Sequence, residues 1–326
     1  MKLGKLKSEP IILGIAIIAM LLYLALRNPD RMNYQLPRLA PVAKADIGRV
    51  DIARAGQAMR LERKDNGWSI QPQGFAADPA KANAIVDAIV NLNLTALVSE
   101  SKNYLPYGLD RENAITVKAY GNERLLREFS IGNVASTYSH TYVKLDVDPR
   151  VFHARNSFRS DFDQKVDNLR DKTVLQFDKN EISAIEISSA GEKILFTKNI
   201  KPLQFKPGDK QAESQAPPSE EESWQTVDGK TANGSELNGI LEQASRLICE
   251  GFIDGKTKDD FKQPLYSLRL KGGKDFLLSI FAKTEKEISY AALSSESPYP
   301  FLLSAYKVEN IMKKPALLKN EKTTAK

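Results

Sequence analysis

Ile115-Thr116-Val117-Lys118-Ala119-Tyr120-Gly121-Asn122-Glu123-Arg124-Leu125-Leu126-Arg127-Glu128-Phe129-Ser130-Ile131 alternates apolar and polar side chains around a Gly-Asn turn. Successive side chains of a strand point to opposite faces, so Ile115, Val117 and Ala119 share one face. Leu125, Arg127, Phe129 and Ile131 return along one parity, and the stretch predicts an antiparallel hairpin. The pattern recurs downstream. Tyr266, Leu268 and Leu270 alternate into Gly272-Gly273, and Phe276, Leu278 and Ile280 come back.

Working outward, each hairpin has matching neighbours. Upstream of the first, Val50 and Ile52, then Met59 and Leu61, alternate around Gly56, and Trp68 and Ile70 follow Asn66-Gly67. Asp78 is placed to cap a helix that starts at Pro79 and turns Ile85, Ile89 and Leu92 to one side. Upstream of the second hairpin, Ile182, Ile185 and Ile187 alternate into Gly191-Glu192, Ile194 and Phe196 return, and Trp224 follows. A helical run then carries Leu237, Ile240, Leu241, Ala244 and Leu247. Downstream, Tyr142 lies in an alternating run with mixed faces, and Ile288, Tyr290 and Ala292 take its place in the second half.

The landmarks pair in order: Trp68 with Trp224, Ile85 with Ile240, Val117 with Leu268, Gly121 with Gly272, Phe129 with Ile280 and Tyr142 with Tyr290. The offset drifts from 156 to 148, as gaps in loops would produce. The expected fold is α+β: an N-terminal transmembrane helix, then two similar lobes, each an antiparallel sheet with a packed helix. The lobes are expected over 47–160 and 181–312, with a connector over 161–180.

Pro10 to Leu26, PIILGIAIIAMLLYLAL, carries no charge, and Arg27 can snorkel, so residues 10–27 read as a membrane span. The run is longer than a signal-peptide core and lacks small residues for cleavage at its end. Lys2, Lys5 and Lys7 place residues 1–9 in the cytoplasm and the rest outside. Pro29, Pro37 and Pro41 make 28–46 an extended stalk. Residues 199–222, rich in Pro, Glu, Gln, Lys and Ser, read as a disordered insertion, and 313–326 as a disordered basic tail.

The 47 basic and 41 acidic residues among 326 leave a net charge of +6, and the excess sits largely at the two ends. The balanced middle carries no nucleic-acid footprint. A single cysteine, Cys249, excludes an internal disulfide and reads as a small buried residue.

A Trp after a strand, Tyr107-Gly108-Leu109-Asp110 ahead of an alternating strand and Phe129-Ser130-Ile131-Gly132 occur in order behind the apolar N-terminal run. Asn168-Leu169-Arg170-Asp171-Lys172 then runs into Val174-Leu175-Gln176-Phe177-Asp178. Together these resemble the bacterial family catalogued as domain of unknown function 4340, well over about residues 48–200 and more loosely beyond. The resemblance implies an envelope protein whose gene often lies beside an ABC-type transport system of the gliding-associated kind. It brings no catalytic residues. The acidic insertion at 199–222 departs from the family pattern.

The residues offer little chemistry. Gly229-Lys230-Thr231 and Gly255-Lys256-Thr257 show part of a phosphate loop, but Trp224 and Glu250 stand where the earlier glycine is needed. His140 and His153, the only histidines, are too few for a zinc site, and Asp146-Val147-Asp148-Pro149 reads as a turn. Ser139 and His140 are neighbours on a strand and face opposite ways. No catalytic residue, cofactor or metal site is assigned. Trp68, Tyr104, Tyr107, Tyr138 and Tyr142 either pack the sheet or line a groove.

The expectation is a non-catalytic protein of the bacterial inner membrane, held in the bilayer by residues 10–27, with its body in the periplasm. Its partners would be integral-membrane proteins of an ABC-type transporter. The alternatives are a module holding lipid, glycan or peptide between two lobes, and a hydrolase acting on the cell envelope.

Overall fold

The computed structural model describes residues 8–26, 34–65, 67–202, 220–283 and 288–319. The chain is mixed, with two large antiparallel sheets and few helices, and the two sheets fit two lobes. It divides into two compact units, Met1–Lys64 with Asn83–Gln164, and Asp65–Ala82 with Lys165–Lys326.

The first unit begins with α1 (Ser8–Leu26) and continues with β1 (Arg49–Arg54) and β2 (Gln57–Lys64). The hairpin β3 (Gly67–Gln71) and β4 (Phe75–Ala76) belongs to the second unit. The helix α2 (Pro79–Val90) leads back to β5 (Leu94–Ser99), β6 (Ile115–Gly121), β7 (Arg124–Val134), β8 (His140–Leu145), β9 (Asp148–Arg155) and α3 (Arg159–Phe162). Within this unit the strand order is β2-β1-β6-β7-β8-β9-β5.

The second unit continues with α4 (Val166–Leu169), β10 (Thr173–Gln176), β11 (Ala184–Ser189), β12 (Glu192–Pro202), β13 (Glu220–Thr226), α5 (Gly234–Ala244) and β14 (Arg246–Ile248). There follow β15 (Gly251–Phe252), β16 (Tyr266–Lys271), β17 (Phe276–Ile280), β18 (Ser289–Ser294), β19 (Phe301–Ser304), α6 (Ala305–Ile311) and α7 (Pro315–Leu318). Its eight-stranded sheet runs β13-β12-β11-β16-β17-β18-β19-β15. From β12 onward this repeats the order of the first unit: two hairpins side by side, a third pair, and on the edge a strand that precedes the second hairpin in the chain.

Registers show where the repeat holds. In the first sheet one rung runs Met59–Ile52–Val117–Phe129–Leu145. In the second it runs Ile194–Ile187–Leu268–Leu278–Ser294. Phe129 therefore corresponds to Leu278 and not to Ile280. The slip is absorbed at the turn, where β6–β7 carries a register shift between Ala119 and Tyr120 that β16–β17 lacks. The alternation of β6 is expressed as burial, with Ile115, Val117 and Ala119 fully enclosed. In β8 it is Thr141, Val143 and Leu145 that face the core, which leaves His140, Tyr142 and Lys144 on the other side.

The helices follow their sequence signals. Asp78 accepts bonds from the amides of Ala80 (2.9 Å) and Lys81 (3.1 Å), and Ile85, Val86 and Ile89 turn inward. In α5, Asn233 caps through Glu236 N (3.3 Å), and Leu237, Ile240, Leu241 and Ala244 enter the core. Leu247, expected on this helix, lies in β14 and still reaches the same core.

Three expectations about the ends and linkers change, and a fourth finds no support among the described residues. First, the stalk over 28–46 does not stand free from Tyr34 on. Leu36, Pro37, Leu39 and Val42 are half-buried, and the buried Arg127 guanidinium donates to the carbonyls of Ala40, Ile89 and Val90. Lys44 pairs with Asp87 at 3.0 Å. Residues 34–46 are thus a strap laid on the first unit.

Second, β12 and β13 extend into the insertion expected over 199–222, pairing Asn199 with Ser223 and Pro202 with Glu220. Residues 203–219 lie outside the described residues. Third, the tail expected over 313–326 is anchored as far as Lys319: Leu318 is fully enclosed, its carbonyl accepts from Asn233 N at 2.9 Å, and Lys319 pairs with Glu192 at 3.0 Å. Leu318, in the turn after Pro315, is the apolar residue that docks; residues 320–326 lie outside the described set.

Fourth, the transmembrane helix expected over 10–27 is not found among the described residues. No helix there is long and apolar enough to cross a membrane. The side chains of α1 are described only over residues 12–23, and a bilayer core needs roughly 20 residues.

Candidate functional site

The side chains singled out as reactive are engaged elsewhere. Cys249 is buried in the core of the second unit, and burial pushes its thiol up to about 11, so almost none is thiolate at neutral pH. Ser139 Oγ donates to Thr137 O at 3.1 Å. Asp148 is clasped by its neighbour Arg150 at 2.7 Å and 3.0 Å, which holds the carboxyl below its usual range. Gly229 closes a turn after β13, with Lys230 on Asp228 at 3.2 Å, and Thr257 caps a short turn through Asp260. Gly229-Lys230-Thr231 does lie between β13 and α5, but Trp224 stands where a phosphate cradle needs its earlier glycine, as Glu250 does for Gly255-Lys256-Thr257. Among the described residues no three metal-binding side chains cluster.

The structure does bring the two histidines together. They sit on the outward parity of β8 and on β9, where Tyr142 is opposite His153 and His140 is opposite Arg155. The rings of His140 and His153 stack at 5.2 Å, Tyr142 lies 5.0 Å from His153, and Tyr107 meets Tyr142 edge-on at 5.0 Å. Lys144 extends over the Tyr104 ring at 5.8 Å, and Tyr104 Oη donates to Pro149 O at 3.0 Å. Three of the five aromatic candidates therefore line one strip. Trp68 is core in the second unit, and Tyr138 is an exposed turn residue in the left-handed region.

His153 Nε2 is buried without a partner. Burial, and then the neighbouring charge of His140, holds His153 below the ordinary 6.5. The strip offers stacking faces and one unmated imidazole nitrogen. No carboxylate or hydroxyl bonds to either ring among the described residues, so it holds no acid–base pair.

Sequence reasoning missed Arg170, although the Asn168–Lys172 motif contains it. Its guanidinium lies between the rings of Phe75 (3.7 Å) and Phe252 (3.8 Å), with Tyr299 at 5.2 Å. The side chain is 3% exposed; Nη1 donates to Asp254 at 3.2 Å, and Nη2 has no partner. Phe75 and Tyr299 are far apart in sequence, so no local spacing announces this cage. It fastens the β3–β4 hairpin to the β15 loop inside the second unit.

A protein of two topologically repeated antiparallel sheets is what these features define. The family described as Domain of unknown function (DUF4340) matches residues 70–265, more than half of the chain, and the chain belongs to that family. No curated protein and no solved structure matches it.

Proposed function

We propose that this is a membrane-anchored envelope protein that works through its surfaces, as an accessory or scaffold component of an ABC-type transport complex. One observation carries the anchoring. From Ile12 to Tyr23 nine large apolar side chains, among them Leu13, Ile17, Met20 and Leu22, are more than half exposed around the whole circumference of α1. A helix apolar on every side needs an apolar surrounding. The 19 residues of α1 extend about 28 Å at 1.5 Å each, close to the ~30 Å of a bilayer core. Lys2, Lys5 and Lys7 favour a cytoplasmic N-terminus and an outside body.

The scaffold role is supported by the engaged state of the reactive side chains, and the transporter by the family resemblance. Two measurements test the proposal. The full chain should float with membranes and resist carbonate extraction; release into the soluble fraction would refute the anchor. Tagged protein in mild detergent should carry integral-membrane permease subunits with it; recovery of the protein alone would refute the scaffold.

A further inference from the structure

The outer face of the second sheet carries a trough. Phe281 N donates to Ala291 O at 2.9 Å, Ala291 pairs with Leu302, and Leu302 pairs with Gly251. The small residues Ala291 and Gly251 therefore flank Leu302 on one rung and leave a hollow beside the Phe281 ring. After β15 the chain folds back over this rung. Ile253 N holds to Pro300 O at 2.9 Å, the capped turn Lys258–Asp260 follows, and Phe261 packs on Phe281 at 5.4 Å. Sheet and loop border an open pocket of about 540 Å³, within the range of small-molecule sites.

Its lining has two characters. Phe261, Phe281, Ala291 and Leu302 make an apolar trough, while Lys256 and Lys262 stand at the mouth. Lys256 Nζ lies 5.6 Å over the Phe261 ring; both lysines act on Asp260 through their charge, and neither comes within ion-pair distance of a carboxylate among the described residues. Asp260 also lines the mouth, but its carboxylate accepts from Thr257 N (2.7 Å) and Oγ1 (3.0 Å), which turns it toward its own loop. Two lysines and one carboxylate leave one net positive charge at the entrance. An apolar trough ending in a cationic mouth suits a molecule with a hydrocarbon body and one anionic end.

We propose that this pocket binds a single-chain anionic amphiphile, its chain along Phe281, Leu302 and Phe261 and its head at Lys256 and Lys262. The site lies wholly within the second unit, so it stands or falls apart from the membrane anchor. The test uses the full chain in phosphatidylcholine nanodiscs, photolysed with a diazirine-bearing palmitate and mapped by peptide mass spectrometry. Adducts are expected on residues 252–265 and 276–302, competed by free palmitate about tenfold better than by hexadecanol. Ala291→Trp fills the trough and should lower labelling about tenfold. The exposed pair Lys256→Glu and Lys262→Glu should do the same with unchanged near-UV circular dichroism, which keeps the test valid should the tryptophan variant misfold. Adducts confined to α1, equal competition by the alcohol, stronger competition by an acidic peptide, or undiminished labelling of the lysine variant would overturn the proposal. Flotation of the same sample reports on the anchor separately.

Discussion

The peptide of Gly121 presses on the carbonyl of Asp46: a Cβ at Gly121 would lie 2.3 Å from that oxygen. Gly272 stands in the same relation to Glu181 O, at 2.5 Å. In both sheets the end of one strand, β6 in the first and β16 in the second, abuts the residue that precedes a buried isoleucine, Ile47 in one and Ile182 in the other. Two distant points of the chain thus share one close approach.

Gly121→Ala and Gly272→Ala should each destabilise by about 1–3 kcal/mol, because the obstacle is backbone and cannot swing aside. Gly239→Ala, in α5 with open space around it, should stabilise by about 0.5–1 kcal/mol. Urea denaturation of the three variants checks the sign of each. A neutral Gly121→Ala would show that the approach relaxes freely.

Arg127→Ala should loosen the strap. The guanidinium serves carbonyls of α2 and of residue 40 from a buried position, and hydrogen bonds to a charged group contribute about 1.5–3 kcal/mol. Trypsin should then cut after Arg38 several-fold faster than in the parent chain, with the other cuts unchanged apart from the site lost at residue 127 itself. An unaltered cleavage rate would mean that Pro37, Leu39 and Val42 hold the strap without it.

His153 gives the first unit a pH dependence. Its folded pKa lies below 6.5, so the unfolded chain takes up a proton that the folded chain resists. That stability is intact above about pH 6.5 and is lost as the pH falls below it. Melting temperature should drop between about pH 7 and pH 5.5, and His153→Phe, which keeps a ring in the stack, should flatten the slope. An equal slope in the variant would assign the effect to other groups.

At Arg170 two substitutions should rank in an unexpected order. Lys keeps the charge but cannot present a plane to two rings, and should cost about 2–3 kcal/mol. Met keeps bulk without an unpartnered donor, and its charge loss matters little because Asp254 is 81% exposed. Met should therefore cost less. Both tryptophans lie in the second unit, so their fluorescence during urea unfolding reads the result. A costlier Met would show that the ion pair dominates the cage.

The strands and their duplication were legible because period-two alternation and Gly turns are local signals. Ile115, Val117 and Ala119 needed nothing else. The pairing of Phe129 with Ile280 was misjudged because a register shift inside a ladder leaves no mark on composition. In β8 both parities carry large side chains, so only the sheet's surroundings decide that Val143 turns inward and Tyr142 outward. The strap and tail were misread for a related reason. Proline and lysine describe a segment's own preferences, while docking of Leu39 and Leu318 depends on distant residues. Arg170 stayed hidden because its cage is assembled from four separate segments.

Laying residues 34–46 on the first unit leaves only residues 27–33 between α1 and the body. Seven residues reach at most about 25 Å. Were α1 embedded as proposed, the body would stay within that distance of the lipid. Encounters with a partner would then become a search in two dimensions, set by lateral diffusion and not by concentration in the bulk.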